Sequence, residues 1–335
     1  VLNTILNESI ELPKILVQGL TNNSLKVKKG YIFFAFKGEN YDGNDFIEDA
    51  FKNGACLAIT DSNKLESQKN VVKVEDVRIA AGIACSNFYN FPQNKVKLIG
   101  ITGTNGKTST STILKSILDA KNEKTIQIGT SGIKPSIEIN PGLTTPDIFD
   151  LYEILNYAVN ENYKNVILEV SSHALSQRRI ENIFFDITAF TNLTHDHLDY
   201  HETMDEYFSE KLKLFNLNKD NGSSVVMIDD EYGKRIAELN SNVKCISLKN
   251  EDADYFCTSH SINSFGLAGT LAWDSETLDF ESKLIGSFNL ENLILAISIA
   301  IELNISAQSI AKGIENCTNI AVSYTHLRAH ETTSH

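Results

Sequence analysis

The stretch Thr102-Gly103-Thr104-Asn105-Gly106-Lys107-Thr108-Ser109 limits the possible folds of this chain more than any other. It stands between an apolar run over 96–102 and a segment over 108–121 whose apolar residues recur with helical spacing. Strand, glycine loop and helix in that order form a phosphate-binding unit. Glycines let backbone amides approach phosphate oxygens, and the helix N-terminus carries partial positive charge. In such a loop Lys107 neutralises the β and γ phosphates and the Thr108 hydroxyl ligates Mg²⁺. The upstream spacing departs from the ordinary rule. Ile101 stands where that rule puts glycine, with Gly100 one residue earlier and Gly103 inside the loop.

The rest of the chain fits an α/β architecture around that unit. Apolar runs at 165–170, 187–190 and 225–228 read as buried strands between helical stretches, each with polar residues at its C-terminal end. This is the pattern of a doubly wound, mostly parallel sheet, which binds ligands outside the carboxyl ends of its strands. Alternation and glycines over 255–285 predict antiparallel strands, followed by a long apolar helix over 290–303. Ahead of the loop, strands are expected at 30–36, 56–60 and 71–74, and helices at 46–52 and 78–89, the last ending near Pro92. A boundary near Gln93 results. Residues 1–93 form a small α/β domain, 94–318 a phosphate-loop ATPase domain, and 319–335 an aberrant tail that resembles read-through of an interrupted frame.

Bulk properties exclude several partners. A net charge of -13 opposes nucleic acid, and no run approaches the ~20 apolar residues of a membrane helix. The start Val1-Leu2-Asn3 lacks a basic segment followed by an apolar one, so no secretory signal is expected. Cys56, Cys85, Cys245, Cys257 and Cys317 are scattered without zinc or redox spacing, as suits reduced thiols in a cytoplasmic protein, expected to be a monomer.

Four further segments carry chemistry. Glu169-Val170-Ser171-Ser172-His173, with Gln177 and Arg179 after it, puts a carboxylate at a strand end and hydroxyls on the next loop, although acids also favour helix starts. Phe190-Thr191-Asn192-Leu193-Thr194-His195-Asp196-His197-Leu198-Asp199-Tyr200-His201, after a buried strand, is the densest group of possible ligands. Zinc competes there, but no cysteine accompanies it, and a phosphate loop with Glu169 points to oxygen-bound Mg²⁺. Tyr207-Phe208-Ser209-Glu210-Lys211-Leu212-Lys213-Leu214-Phe215 reads as an amphipathic helix, on which lysines are solvent-exposed by default. Gly286-Ser287-Phe288-Asn289-Leu290-Glu291-Asn292 opens the apolar helix, where an asparagine serves either as a cap or as a ligand contact.

Thr-Gly-Thr-Asn-Gly-Lys-Thr resembles the loop of the Mur ligase family, which folylpolyglutamate synthases share. The resemblance extends from about Thr21 to about Cys317. It implies that Gly103 to Ser109 bind ATP, that Asn289 contacts the nucleotide, and that Thr108, Glu169 and His197 serve two Mg²⁺ sites. The segment at 207–215 is similar to the family's Tyr-x-x-Ala-Lys-x-x-Leu-Phe, with Glu210 in place of alanine. This implies that Lys211 carries a carbamate and becomes an anionic metal ligand. Three features narrow the resemblance to the branch adding the third amino acid to UDP-N-acetylmuramoyl-L-alanyl-D-glutamate in peptidoglycan synthesis. They are Thr144-Thr145-Pro146, preceded by Leu143 where the family has asparagine; the set Ser171, Gln177 and Arg179; and an N-terminal UDP-binding region over 22–33 and 38–47, with Ser24 its uridine contact.

The implied reaction is amide ligation through an acyl phosphate, with ATP and an amino acid as co-substrates. Other Mur-type ligases, a folylpolyglutamate synthase and a non-catalytic nucleotide-binding module are the alternatives. The family continues with a Gly-Arg motif and a further domain carrying the amino-acid pocket. Here Ile320-Ala321-Val322 leads into the tail, and the sequence as it stands is expected to bind substrate without completing ligation.

Overall fold

A computed structural model describes residues 16–38, 41–63, 70–139, 142–194 and 203–317. They fall into two compact units. The first comprises the described residues up to Lys95 together with 146–157 and 177–183. The second takes 96–145, 158–176 and the described residues from Phe184 onward. Among the described residues no helix is long and apolar enough to cross a membrane.

In the first unit, β1 (Gly19–Thr21), β2 (Tyr31–Phe34), β3 (Ala55–Thr60) and β4 (Val71–Lys73) make a parallel sheet in that order. Its core is Val27, Phe33, Ala35, Ile47, Ala50 and Ala58, with Ile47 and Ala50 supplied by the short helix α1 (Ile47–Lys52). Strand β2 stops at Phe34, short of the expected Phe36, because the chain turns there: the Phe36 amide donates to the Phe34 carbonyl at 3.1 Å. The loop then folds back, and Gly43 lies so close that a Cβ would stand 2.6 Å from the Phe36 carbonyl oxygen. Helix α2 (Val77–Phe88) starts one residue before the expected Arg78. The Asp76 side chain caps it, accepting from the Arg78 and Ile79 amides.

The second unit opens with β5 (Lys97–Thr102), the phosphate loop and α3 (Lys107–Ala120), followed by β6 (Thr125–Gly129) and β7 (Gly132–Lys134). Helix α4 (Ile148–Asn160), which belongs to the first unit as far as Tyr157, precedes β8 (Asn165–Glu169), α5 (Ser172–Ser176), β9 (Phe185–Phe190), α6 (Met204–Leu212) and β10 (Asn218–Met227). Next come α7 (Glu231–Leu239), β11 (Val243–Ser247), β12 (Tyr255–Asn263), β13 (Gly266–Trp273), β14 (Glu276–Ser282), α8 (Ser287–Glu302) and α9 (Ala307–Asn316).

The ten strands order as β14-β13-β12-β11-β10-β9-β5-β8-β6-β7, parallel from β12 through β6 and antiparallel at both margins. Parallel strands buried on both faces need continuous apolar runs, and Ile99, Ile101, Ile167, Ile187, Ala189 and Val225 provide them. Helix α8 is buried from Leu290 to Ala300 apart from Glu291, and it packs with Ile113, Leu114, Ile117 and Leu118 of α3 in one core. Gly313 of α9 presses on the α3 backbone, where a Cβ would collide with Ile117 Cα, and the Ser116 hydroxyl donates to the Gly313 carbonyl at 2.7 Å.

Candidate active site

Register sets the site. Ile101 pairs with Glu169, Thr102 with Phe190, and Ile128 with Leu168, so β6, β8, β5 and β9 end level, in adjacent positions of the sheet. The residues just past each strand end therefore gather at one rim: Thr130, Glu169 with Val170, the phosphate loop, and Thr191 to Thr194.

The loop's two glycines are conformational requirements. Gly103 has φ 146° and Gly106 has φ 85°. A Cβ would collide with Thr191 Oγ1 at the first and with Asn292 Oδ1 at the second. The segment after β9 holds the loop from behind. The Thr104 amide donates to the Asn192 carbonyl (2.8 Å), the Asn105 amide to Asn192 Oδ1 (3.0 Å), the Thr191 hydroxyl to the Asn105 carbonyl (2.6 Å), and the Thr194 amide to Thr104 Oγ1 (3.1 Å). The amides that open α3 lie beyond these contacts, and the first turn of a helix has no intrahelical acceptors for them. Lys107 curls over the loop, its amine donating to the Gly103 and Thr104 carbonyls, each at 2.9 Å. It thus stands where a phosphate would draw it, with the partial positive charge of α3 beside it.

Glu169 is wholly buried at the end of β8. It accepts from the Thr108 hydroxyl (2.8 Å), the Thr130 hydroxyl (3.1 Å), the Thr130 amide (3.4 Å) and the Ser111 hydroxyl (3.3 Å). Gly129 makes room, since a Cβ there would overlap the carboxylate. A carboxylate and a hydroxyl joined at the mouth of a phosphate loop form the oxygen-rich donor set that Mg²⁺ prefers, and the amides of the first turn of α3 are the donors a polyphosphate takes. The residues present therefore fit both groups.

Lys211 is 1% exposed, against the default for a helical lysine. Its amine donates to the Gly103 carbonyl at 2.9 Å and lies 4.5 Å from the centroid of the Tyr207 ring, whose hydroxyl is 3.3 Å from Thr104 Oγ1. Both lysines thus converge on one carbonyl of the phosphate loop. Lys213 is exposed, as expected, and pairs with Glu210 at 2.7 Å.

The Thr144 hydroxyl is 3.2 Å from that of Thr130. The buried Thr145 hydroxyl donates to the Glu169 carbonyl (2.8 Å) and accepts from the Ser171 amide (3.0 Å), so Thr144, Thr145 and Ser171 belong to the same rim. Asn289 donates to the Ile285 carbonyl at 2.8 Å, whereas Asn292 is buried and accepts from the Thr110 hydroxyl at 3.3 Å. Of the two asparagines, Asn292 is the one in contact with the phosphate-loop helix. His197, with His195, Asp196 and His201, lies outside the described residues. Among the described residues no group of three or more His, Cys, Asp or Glu is placed to hold a metal.

Ser24, Gln177 and Arg179 belong to the first unit. Ser24 is buried in a short 3₁₀ turn after β1, its carbonyl accepting from Asn53 Nδ2 at 2.9 Å. Gln177 Oε1 accepts from Arg179 Nε (3.0 Å) and Nη2 (2.6 Å).

Sequence reasoning did not single out Thr130 or Ser111, and it placed Asn192 in the ligand-rich segment without giving it a role. A signal for Thr130 existed: Thr125-Ile126-Gln127-Ile128-Gly129 alternates and ends in glycine, which marks a strand whose next residue falls on the rim.

Comparison with known proteins agrees with this construction. Residues 101–300 match the Mur ligase middle domain, and residues 16–89 match the catalytic domain of the Mur ligase family. The chain is 39% identical over 303 residues to a protein of Fusobacterium nucleatum named UDP-N-acetylmuramoyl-L-alanyl-D-glutamate--2,6-diaminopimelate ligase; the match covers 89% of this chain and 61% of that one. A protein of the same name from Caldanaerobacter subterraneus is 39% identical over 309 residues, with 91% and 64% covered. A solved structure of an enzyme with that name superposes with a TM-score of 0.81 at 27% identity, over 93% of this chain and 65% of that one. The chain thus spans less than two thirds of the length of these proteins. With its middle-domain match over 101–300 and a phosphate loop and buried glutamate of this build, the chain belongs to the Mur ligase family.

Proposed function

We propose that this chain serves ATP-dependent amide-bond formation, joining the third amino acid to UDP-N-acetylmuramoyl-L-alanyl-D-glutamate in peptidoglycan synthesis. That amino acid is 2,6-diaminopimelate, as the names of the relatives state for them. The observation that carries the reading is the buried carboxylate of Glu169 bonded to the Thr108 hydroxyl at the mouth of the phosphate loop. In this reading residues 1–93 recognise the UDP moiety through Ser24, and 94–318 bind the nucleotide through Gly103 to Ser109 and Asn289. Thr144, Thr145, Ser171, Gln177 and Arg179 bind the remainder of the substrate.

Mg²⁺, held by Thr108 and Glu169 and at a second site by His197 and a carbamylated Lys211, supplies neutralisation of phosphate charge. The chain's own residues position and neutralise. Lys107 follows the transferring phosphate, and the backing segment Thr191 to Thr194 keeps the loop fixed, because this chemistry asks for placement more than for covalent participation. The burial of Lys211 beside the Gly103 carbonyl supports the carbamate, since an anionic ligand there lies against the phosphate loop. The protein acts as a monomer in the cytoplasm.

The test is calorimetric titration of the 335-residue chain with Mg-ATP and, separately, with UDP-N-acetylmuramoyl-L-alanyl-D-glutamate. Binding of both, with UDP competing for the second, is the expected result. Binding of ATP with indifference to every uridine ligand would move the reading to the folylpolyglutamate branch, and indifference to ATP would end it.

A further inference from the structure

Arg78 links two loops of the first unit that are distant in sequence. It stands in the first turn of α2 and belongs to none of the ligand-binding motifs. Its guanidinium lies 4.6 Å from the centroid of the Phe36 ring, which also stacks on Phe149. Nη2 donates to the Lys37 carbonyl at 3.1 Å, and Nη1 donates to the Gln177 carbonyl at 3.0 Å. One planar fork therefore stacks on the base of the 36–43 loop while holding a carbonyl on each side. A lysine ammonium cannot do all three at once.

The same helix end grips the next residue. Asp76, whose Oδ1 caps α2, places Oδ2 3.4 Å from Arg178 Nη1. Arg178 has φ 53°, a left-handed conformation that a side-chain-bearing residue keeps only where its surroundings impose it. The reversal lets the side chains on either side of it meet, so that Gln177 Oε1 receives both Arg179 nitrogens.

We propose that Arg78 is a positioning residue: with Asp76 it presets the Gln177–Arg179 pair and ties it to Phe36 and Lys37, so that the pair and this end of the loop meet the UDP-linked substrate already placed. This rests on the proposed function, which gives the loop to the UDP moiety and the pair to the rest of the substrate. Ordering both before binding removes an entropic cost from association.

Native chain, Arg78→Lys and Arg78→Ala are titrated with UDP-N-acetylmuramoyl-L-alanyl-D-glutamate, UDP and Mg-ATP, and backbone amide exchange is followed over 36–38 and 177–179. Arg78→Lys should lose roughly tenfold or more of the preference for the full substrate over UDP, the scale of a lost charged hydrogen bond, with Mg-ATP affinity unchanged and exchange faster in both segments. General destabilisation would instead weaken all three ligands together, and that result overturns the proposal, as does an unchanged preference in Arg78→Lys. If Arg78→Ala fails to fold, Arg78→Lys decides. If the native chain binds Mg-ATP but no uridine ligand, the functional reading falls separately, and exchange alone decides the clamp: faster exchange in Arg78→Lys upholds it and unchanged exchange overturns it.

Discussion

Replacing Glu169 with glutamine keeps the shape of the side chain and removes its charge, which separates its structural bonds from the service to a metal proposed for it. The carboxylate accepts from Thr108 at 2.8 Å and Thr130 Oγ1 at 3.1 Å, with longer approaches from the Thr130 amide and Ser111. Turning two good charge-assisted bonds into neutral ones costs about 1 kcal/mol each, roughly 2 kcal/mol in all. Relief of a buried charge offsets part of this. Ser111 can adapt, because its oxygen can accept from a new amide while its proton stays on the Thr108 carbonyl, 3.0 Å away. The variant should therefore fold, melting no more than about 4–8 °C lower. Binding should fare worse. The buried carboxylate is the only charged group bonded to the Thr108 hydroxyl among the described residues, so its loss should weaken Mg-ATP by about a hundredfold, or about 2.7 kcal/mol. The assay is calorimetric titration of ATP with excess Mg²⁺ and again with EDTA, for native and Glu169→Gln chains. Native affinity should rise steeply with Mg²⁺ while the variant's barely moves. Equal enhancement by Mg²⁺ in both would refute the assignment of Glu169 to the metal.

The same geometry gives three more expected outcomes. Lys107→Ala should lower ATP affinity by roughly ten- to a hundredfold with an unchanged circular dichroism spectrum, because the amine bonds to loop carbonyls and the side chain is no part of the buried core; undiminished binding would remove Lys107 from the phosphate site. Native chain in ¹³C-bicarbonate should show a carbamate resonance that Lys211→Ala lacks, and identical spectra would leave Lys211 an ordinary buried amine. Burial pushes the Asp230 carboxyl up from the usual 3.8, helped by Asp229 and opposed by the amides of Gly233 and Leu193, while Glu291, also raised, and Lys249 lie in the same neighbourhood. Because the folded state holds that proton at higher pH than the unfolded state does, the contribution of Asp230 to stability falls as pH rises from about 4 through the raised value. Asp230→Asn should flatten this part of a melting-temperature profile; parallel profiles would show that Asp230 does not govern it.

Much of the site was legible because its signals are local. Gly103, Gly106, Lys107 and Thr108 are consecutive or nearly so, and their geometry comes from the strand and helix on either side. Lys211 was different. Nothing in the periodicity of α6 predicts a buried amine, since the carbonyl of Gly103 that it bonds lies more than a hundred residues earlier in the chain, and only family resemblance pointed there. Asn192 and Thr130 are short polar residues at strand ends, where sequence alone cannot separate a turn from a latch; their partners became visible only once β5, β6, β8 and β9 were in register. The returns of 146–157 and 177–183 to the first unit also have no local signature, because they are defined by contacts such as the Tyr152 hydroxyl donating to the Asn182 carbonyl.

That discontinuity shapes how the chain is made. A ribosome delivers residues in order, and domains that are continuous in sequence can fold as they emerge. Here the first unit needs residues up to Ile183, so it cannot close when Lys95 appears, although its sheet is already complete by Lys73. Strand β5 must likewise wait for Asn165 and Ile187 before it has a neighbour on either side. For the time it takes to synthesise some ninety further residues, the nascent chain holds all four strands of that sheet without the segments that complete their unit. Helper proteins that shield apolar surface would find their substrate in that interval, and rare codons between 95 and 183 would lengthen it.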